Sequence, residues 1–248
     1  MGLETLKDQW PLDYWQSKEF LDVQDKLDRL EEDCIPYNPP RSDLFRALEL
    51  TRLDSVNVAI IGQDPYPDPR YATGVAFSSQ RGLKAEEFTI PSPIRAVSSI
   101  PSSLHTIYRE YNRDLSLPFP SHGCLEGWCD QGVLLWNATP TIEIKRSGYV
   151  WESYTHRFWP EWPPLTQEII ERLSAKGCGV FAFLGSKARE YSKYVDTGDG
   201  YNTTLFYTHP SPLAQANTNR PFVGSRFFTT INNTLLHYCK EPIDWRLE

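Results

Sequence analysis

Asp64, Asn137 and His209 are far apart in a chain of 248 residues, yet each stands at the end of a short apolar run. The runs are residues 56–61, 132–136, 179–184 and 204–208. Each gives way to polar residues: Gln63-Asp64-Pro65-Tyr66 after the first, Asn137 after the second, Gly185-Ser186 after the third and His209-Pro210-Ser211-Pro212-Leu213 after the fourth. A carboxylate supplies negative charge, an imidazole donates or accepts a hydrogen bond, and a carboxamide presents a donor beside an acceptor. With two serine-bearing turns they make an active-site inventory, provided the fold brings them to one place. Taken singly, each has a plainer reading. Asp-Pro is a common turn, His209 is a polar residue at a strand end, and Asn137 suits a strand–helix cap. Tyr66 and Phe77 have the composition of core packing.

The elements that must position these residues are set by periodicity. The four runs are short, apolar and rich in β-branched or aromatic residues, as strands buried on both faces are. Helical spacing recurs between and after them, at residues 103–111, 125–131, 165–175, 187–194 and 227–238. Strands alternating with helices predict an α/β fold: a single domain with a four-stranded parallel sheet flanked by helices on both faces. In such sheets ligands collect outside the carboxyl ends of the strands, where the polar residues stand. Residues 1–34, with Trp10, Trp15 and an acidic helical run over 18–33, read as an N-terminal helical extension packed on the domain of residues 35–248. A partner-binding role is the alternative for this extension.

Composition narrows the class further. The five cysteines (Cys34, Cys124, Cys129, Cys178, Cys239) contain no Cys-x-x-Cys pair, so neither a disulfide framework nor a zinc or iron–sulfur site is indicated. The N-terminus lacks a basic region followed by an apolar one, and Leu6 stands where a myristoylation motif needs Ser or Thr. These features predict a soluble protein of a reducing intracellular compartment, the cytoplasm or, in a cell that has one, the nucleus. The formal net charge of -7 argues against a protein that coats nucleic acid through Lys and Arg. It leaves room for an enzyme whose active face is locally basic or rich in backbone N–H donors.

Gly62-Gln63-Asp64-Pro65-Tyr66 and His209-Pro210-Ser211-Pro212-Leu213 resemble the two signature motifs of the main uracil-DNA glycosylase family. Between and after them, Gly74-Val75-Ala76-Phe77-Ser78 resembles the family's base-stacking segment and Leu134-Leu135-Trp136-Asn137 its uracil-reading strand end. Pro101-Ser102-Ser103-Leu104 resembles the Pro-rich DNA loop, Gly185-Ser186 the Gly-Ser loop, and Pro242-Ile243-Asp244-Trp245 the closing tetrapeptide. Seven matches in order, covering residues 35–247, are far more specific than one short pattern.

The resemblance implies a monofunctional glycosylase that needs neither metal nor cofactor and hydrolyses the N-glycosidic bond of deoxyuridine in single- or double-stranded DNA. It implies a catalytic pair: Asp64 stabilises an oxocarbenium-like sugar and positions water, and a neutral His209 donates to uracil O2. Gln63, Tyr66, Phe77 and Asn137 would bind substrate: Asn137 reads N3–H and O4, Tyr66 excludes a C5 methyl, and Phe77 stacks on the base. Ser103, Ser186, Ser211 and the wedge Leu213 would bind DNA, with Lys187, Arg220 and Arg226 nearby as charge. Such proteins are often blocked by small acidic DNA mimics, so an inhibitor of that kind is a candidate partner beside DNA; a monomer with no membrane association is expected. The alternatives are a glycosylase for a C5-modified uracil and a catalytically silent DNA-binding relative.

This sequence also departs from the family's pattern. Pro67 and Thr73 stand where many relatives carry His, which is expected to alter water or phosphate positioning. Trp136 replaces Leu beside Asn137 and Leu184 replaces a Trp before the Gly-Ser loop, a pair of changes that could offset each other in volume. Ala214 lacks a phosphate-contacting hydroxyl. The stretch 82–100, with Pro91 and Pro93, is longer than usual and would alter how DNA enters. Thr139-Pro140 is unusual, and residues 143–162 match only loosely.

Overall fold

The computed structural model describes residues 3–80, 100–148, 150–153, 159–198 and 200–247, so most of the long 82–100 stretch lies outside the described residues. The elements run α1 (Leu3–Gln9), α2 (Lys18–Glu32), β1 (Tyr37–Asn38), α3 (Arg46–Leu50), β2 (Val58–Gly62), α4 (Ser102–Leu115), α5 (Glu126–Cys129) and β3 (Val133–Asn137). They continue with β4 (Ile142–Ser147), β5 (Val150–Ser153), α6 (Trp162–Ala175), β6 (Val180–Leu184), α7 (Ser186–Arg189), β7 (Thr203–Tyr207), α8 (Pro212–Ala216) and α9 (Phe227–His237).

The four apolar runs form one parallel sheet in the order β3-β2-β6-β7. Every residue of β2, β3 and β6 is buried, as strands with helices over both faces must be. β7 departs from the expectation of two-sided burial: it is one of the two edge strands and, unlike β3 at the other edge, has no fully buried residue, with Phe206 keeping 44% of its surface exposed. From β2 the chain first adds β3 on one side and then β6 on the other. That topology opens a crevice at the carboxyl end of β2, where α/β sheets bind ligands.

Register settles the two exchanged large residues. Trp136 and Phe183 are both paired with Ile61, so they share one face, and Leu184 points to the opposite one. The expected offset in volume between Trp136 and Leu184 is therefore not realised. Trp136 instead donates its indole N–H to Thr166 Oγ1 on α6 at 3.0 Å.

Periodicity does not predict the second sheet. β1, β4 and β5 form an antiparallel ribbon within and before the segment that matches the family loosely. At the N-terminus, Ser17 caps α2 by accepting from the Phe20 N–H at 3.1 Å. Phe20, Val23, Leu27 and Leu30 then recur at helical spacing and are buried in the main core together with Trp10 and Trp15. The Trp10 indole donates to the Leu48 and Thr51 carbonyls at 3.0 and 3.1 Å.

Helix α4 is joined to α9 by charge. Glu110, completely buried, accepts from the backbone N–H groups of Gly224, of Arg226 at 2.6 Å and of Phe227 at 3.4 Å. One turn on, Asp114 accepts from the Thr229 N–H at 2.8 Å. Two carboxylates thus satisfy the open N–H groups at the start of α9 and face the positive end of its dipole. Among the described residues no helix is long and apolar enough to cross a membrane.

Candidate active site

The carboxyl ends of β2, β3 and β7 bring Asp64, Asn137 and His209 to the wall of one pocket of about 110 Å³, together with Tyr66, Phe77 and Ser103. That is somewhat below the apolar cavity of about 150 Å³ that holds benzene, so the pocket can take at most one small ring. Asp64 and His209 also line a far larger open groove of about 1550 Å³, which passes Gln63, Ser186, Ser211 and Leu213. A small chamber opening into a long groove suits a ligand with one inserted ring and an extended remainder.

His209 comes just after β7 and is held by local bonds. Its Nδ1 accepts from the Ser211 N–H at 3.1 Å, and its carbonyl accepts from Gln215 Nε2 at 2.9 Å. Burial pushes its pKa down from 6.5 to about 4, so the ring is neutral at pH 7. With Nδ1 occupied as an acceptor, the single ring proton sits on Nε2, which makes Nε2 a donor. Behind the ring, Gly185 adopts φ +99°, and a Cβ there would approach His209 Cβ to 3.1 Å.

Asp64 sits in the turn after β2. Thr139 and Ala138 donate backbone N–H groups to the Gln63 and Gly62 carbonyls at 2.9 and 3.1 Å, so the unusual 138–140 turn anchors this loop. Asp64 keeps solvent contact through the groove, but surrounding protein desolvates its carboxyl and lifts the pKa above the ordinary carboxylate value. Gln63 Nε2 donates to Asp64 Oδ2 at 3.4 Å, which works in the opposite direction.

Asn137 is the last residue of β3 and its side chain bonds to none of the described residues, which leaves its donor and acceptor for a ligand. Gly62 lies against it: a Cβ at Gly62 would stand 2.7 Å from Asn137 Oδ1 and 3.1 Å from the Phe77 ring. Phe77 itself has φ 64°, a conformation rare and costly for an aromatic residue. Its segment is pinned to β3 by the Ala76 N–H on the Leu135 carbonyl at 3.1 Å.

Tyr66 closes the remaining wall. Its hydroxyl donates to the Phe77 carbonyl at 2.9 Å and accepts from Ser103 Oγ at 3.2 Å. Asn38, buried in β1, donates to the Tyr66 and Pro67 carbonyls, both at 2.9 Å. Pro67 and Thr73 both line the pocket, and the Thr73 hydroxyl is buried without a partner among the described residues.

The residues expected to bind DNA divide. Ser186 and Leu213 are exposed, Ser211 is half-buried, and all three line the groove; Leu213 shows 75% of its surface. Ser103 is different: it is buried, with its hydroxyl on Tyr66 and not on the groove, while Ser102 beside it faces solvent. Lys187 is paired with Glu190 at 3.2 Å. Arg220 lines the groove, but Arg226 lies in a separate surface hollow, and its place is taken by Arg113 and Arg189. Sequence reading misses these two arginines and Gln215, whose Oε1 accepts from the Phe222 N–H at 2.8 Å while its Nε2 holds His209. No motif marks them: the two arginines reach the groove only through the fold, and Gln215 ties His209 to Phe222 by bonds whose geometry the loop alone sets.

Comparison with known proteins agrees with this geometry. A family model described as the uracil DNA glycosylase superfamily matches residues 50–236. The uracil-DNA glycosylase of Lacticaseibacillus casei (strain BL23) is 36% identical over 209 residues, which is 84% of this chain and 80% of that protein. That of Azotobacter vinelandii is 34% identical over 245 residues, 98% of this chain and 92% of the relative. The crystal structure of mimivirus uracil-DNA glycosylase matches the fold with a TM-score of 0.77 at 24% identity, covering 100% of this chain and 90% of that one. A variant of the mimivirus protein in complex with UGI matches at 25% identity with the same TM-score, covering 100% of this chain and 92% of that one.

Proposed function

This chain belongs to the uracil DNA glycosylase superfamily and excises uracil from DNA; from that premise we propose that Asp64, Asn137 and His209 carry its chemistry. The observation that supports this most is the single pocket of about 110 Å³ shared by these three residues with Tyr66 and Phe77.

The reaction is hydrolysis of the N-glycosidic bond, the first step of base-excision repair. As the bond between C1′ and uracil N1 lengthens, its electrons leave with the base: the sugar becomes cationic and uracil O2 gains negative charge. Asp64 stabilises the sugar cation and orients the water whose oxygen bonds to C1′. As that bond forms, one water O–H breaks; its proton passes to the Asp64 carboxylate and then to solvent, and the released uracil anion takes a proton from solvent. A carboxylate in a desolvated site acts with little screening. His209 donates from Nε2 to O2, and a neutral imidazole suffices because it stabilises charge without surrendering a proton.

Asn137 selects the base by accepting from uracil N3–H and donating to O4; cytosine presents the reverse pattern at both atoms and would leave both groups unpaired. Tyr66, tethered at its hydroxyl, occupies the space a thymine methyl would need, and Phe77 stacks on the inserted ring. Unstacking the target costs a few kcal/mol, offset as Leu213 fills the vacated space and Ser186, Ser211 and neighbouring N–H groups hold phosphates. Ser103 serves Tyr66 in this reading. An acidic DNA-mimicking inhibitor would occupy the same groove. We take residues 35–248 as the catalytic domain, residues 1–34 as a packed extension, and a reducing cytoplasm as the location, in keeping with five cysteines free of disulfides.

The test is a set of oligonucleotides carrying U, T, C or 5-hydroxymethyluracil. Release of uracil alone is expected; release only of the modified base would overturn the reading. Asp64→Asn should lower turnover by about two to four orders of magnitude while DNA binding persists, whereas a silent binder would lose nothing measurable.

A further inference from the structure

Phe206 is an aromatic residue on an edge strand, 44% exposed, three positions before His209. It is not a stray surface side chain. Phe183 on the neighbouring strand lies nearly parallel beneath it, with centroids 6.0 Å apart and planes at 23°. The Arg189 guanidinium carbon stands 4.4 Å from the Phe206 ring centroid, and all three residues line the groove. Phenyl, phenyl and guanidinium thus make one contiguous aromatic and cationic surface on the groove wall. Arg189 is exposed and has no carboxylate partner among the described residues, unlike Lys187 two positions earlier.

We propose that Arg189 and Phe206 form a nucleotide subsite outside the uracil pocket, which stacks one unpaired base of the strand flanking the target; the proposal rests on the uracil-excision reading above. Three residues of extended chain span at most about 10 Å, so the subsite lies within a few nucleotides of His209. Guanidinium planes stack on bases, and an aromatic beneath such a plane fixes its orientation and adds cation–π attraction. The groove containing Asp64, His209 and Ser186 is continuous with this stack, so a strand laid along it meets the platform next. In a duplex, flanking bases already stack on one another and offer no free face. The subsite therefore acts on single-stranded substrate and tolerates any base.

The experiment uses single-stranded oligonucleotides with one uracil and either natural flanks or stable abasic residues, phosphates intact, on the 5′ or the 3′ side. With the unmodified protein, stripping the bases from one flank should raise KM about five- to tenfold with kcat unchanged, in line with the value of one base stack, and stripping the other should do nothing. Phe206→Ala and Arg189→Gln should show the raised KM on the natural oligonucleotide and no further response to base removal, while Phe206→Tyr should behave as the parent. Duplex substrates should not distinguish the variants. Indifference of the unmodified protein to base removal on both flanks overturns the proposal. So does a loss in Arg189→Gln alone, which would mean a phosphate contact. If the unmodified protein releases no uracil from any oligonucleotide, the parent reading falls, an outcome distinct from a failed subsite.

Discussion

The Ser211 N–H donates to His209 Nδ1 at 3.1 Å, and this one bond decides which nitrogen of the imidazole carries the ring proton. Because the ring is also desolvated, it stays neutral far below its ordinary range.

That state has a pH signature. Between 6.5 and about 4 the unfolded chain binds a proton at His209 that the native ring refuses. The native state's advantage is fully present above the unfolded value and declines as pH falls toward the folded one. The melting temperature should therefore drop more steeply across this window in the parent than in His209→Leu, as followed by thermal unfolding. The rate of uracil release should show no inflection at 6.5, and His209→Leu should lower kcat by about 10²–10³, the usual cost of one lost oxyanion donor. An acid limb centred near 6.5 would contradict the assignment.

Gly62 carries a second prediction. Gly62→Ala places a methyl 2.7 Å from Asn137 Oδ1 and 3.1 Å from the Phe77 ring. Overpacking there should cost about 1–3 kcal/mol of stability and displace the Asn137 amide proposed to read the base. Urea unfolding reads the first effect, and kcat/KM for uracil release the second.

The guarding role proposed for Tyr66 requires its ring to be held in place, and its hydroxyl is tethered to Phe77 and Ser103. Tyr66→Ala should gain measurable release of thymine while losing uracil turnover. Ser103→Ala should loosen this discrimination without weakening DNA binding, because its hydroxyl faces Tyr66. A clear loss of DNA affinity in Ser103→Ala with base discrimination intact would restore it to the role of a phosphate contact.

Far from the pocket, Glu110 satisfies three N–H groups at the entrance to α9. Glu110→Ala should lower stability by about 2–3 kcal/mol, as charge-assisted bonds and a helix cap are lost together. Equilibrium urea unfolding would reveal it, and the conservative Glu110→Gln should recover only part of the loss, since a carboxamide has one acceptor oxygen.

Sequence alone is enough to locate the four strands of the parallel sheet and the polar residues at their ends. Burial on both faces leaves β2, β3 and β6 as continuous apolar runs that need no knowledge of the partner strand, and β7 keeps such a run although it is only partly buried. Asp64, Asn137 and His209 are legible for the same reason: each is tied to the end of such a run. What the tertiary structure decides is the direction in which side chains point and the contacts they make over long separations. Trp136 and Leu184 read as compensating changes, but strand register puts them on opposite faces. Ser103 reads as a phosphate ligand, but folding sets it against Tyr66, thirty-seven residues away. The β1-β4-β5 ribbon, the Glu110 cap and the Arg189–Phe206 stack have no local signature either. Periodicity reports how one segment meets solvent, whereas an orientation or a pairing depends on which remote segment supplies the other surface, and only the assembled chain contains that information.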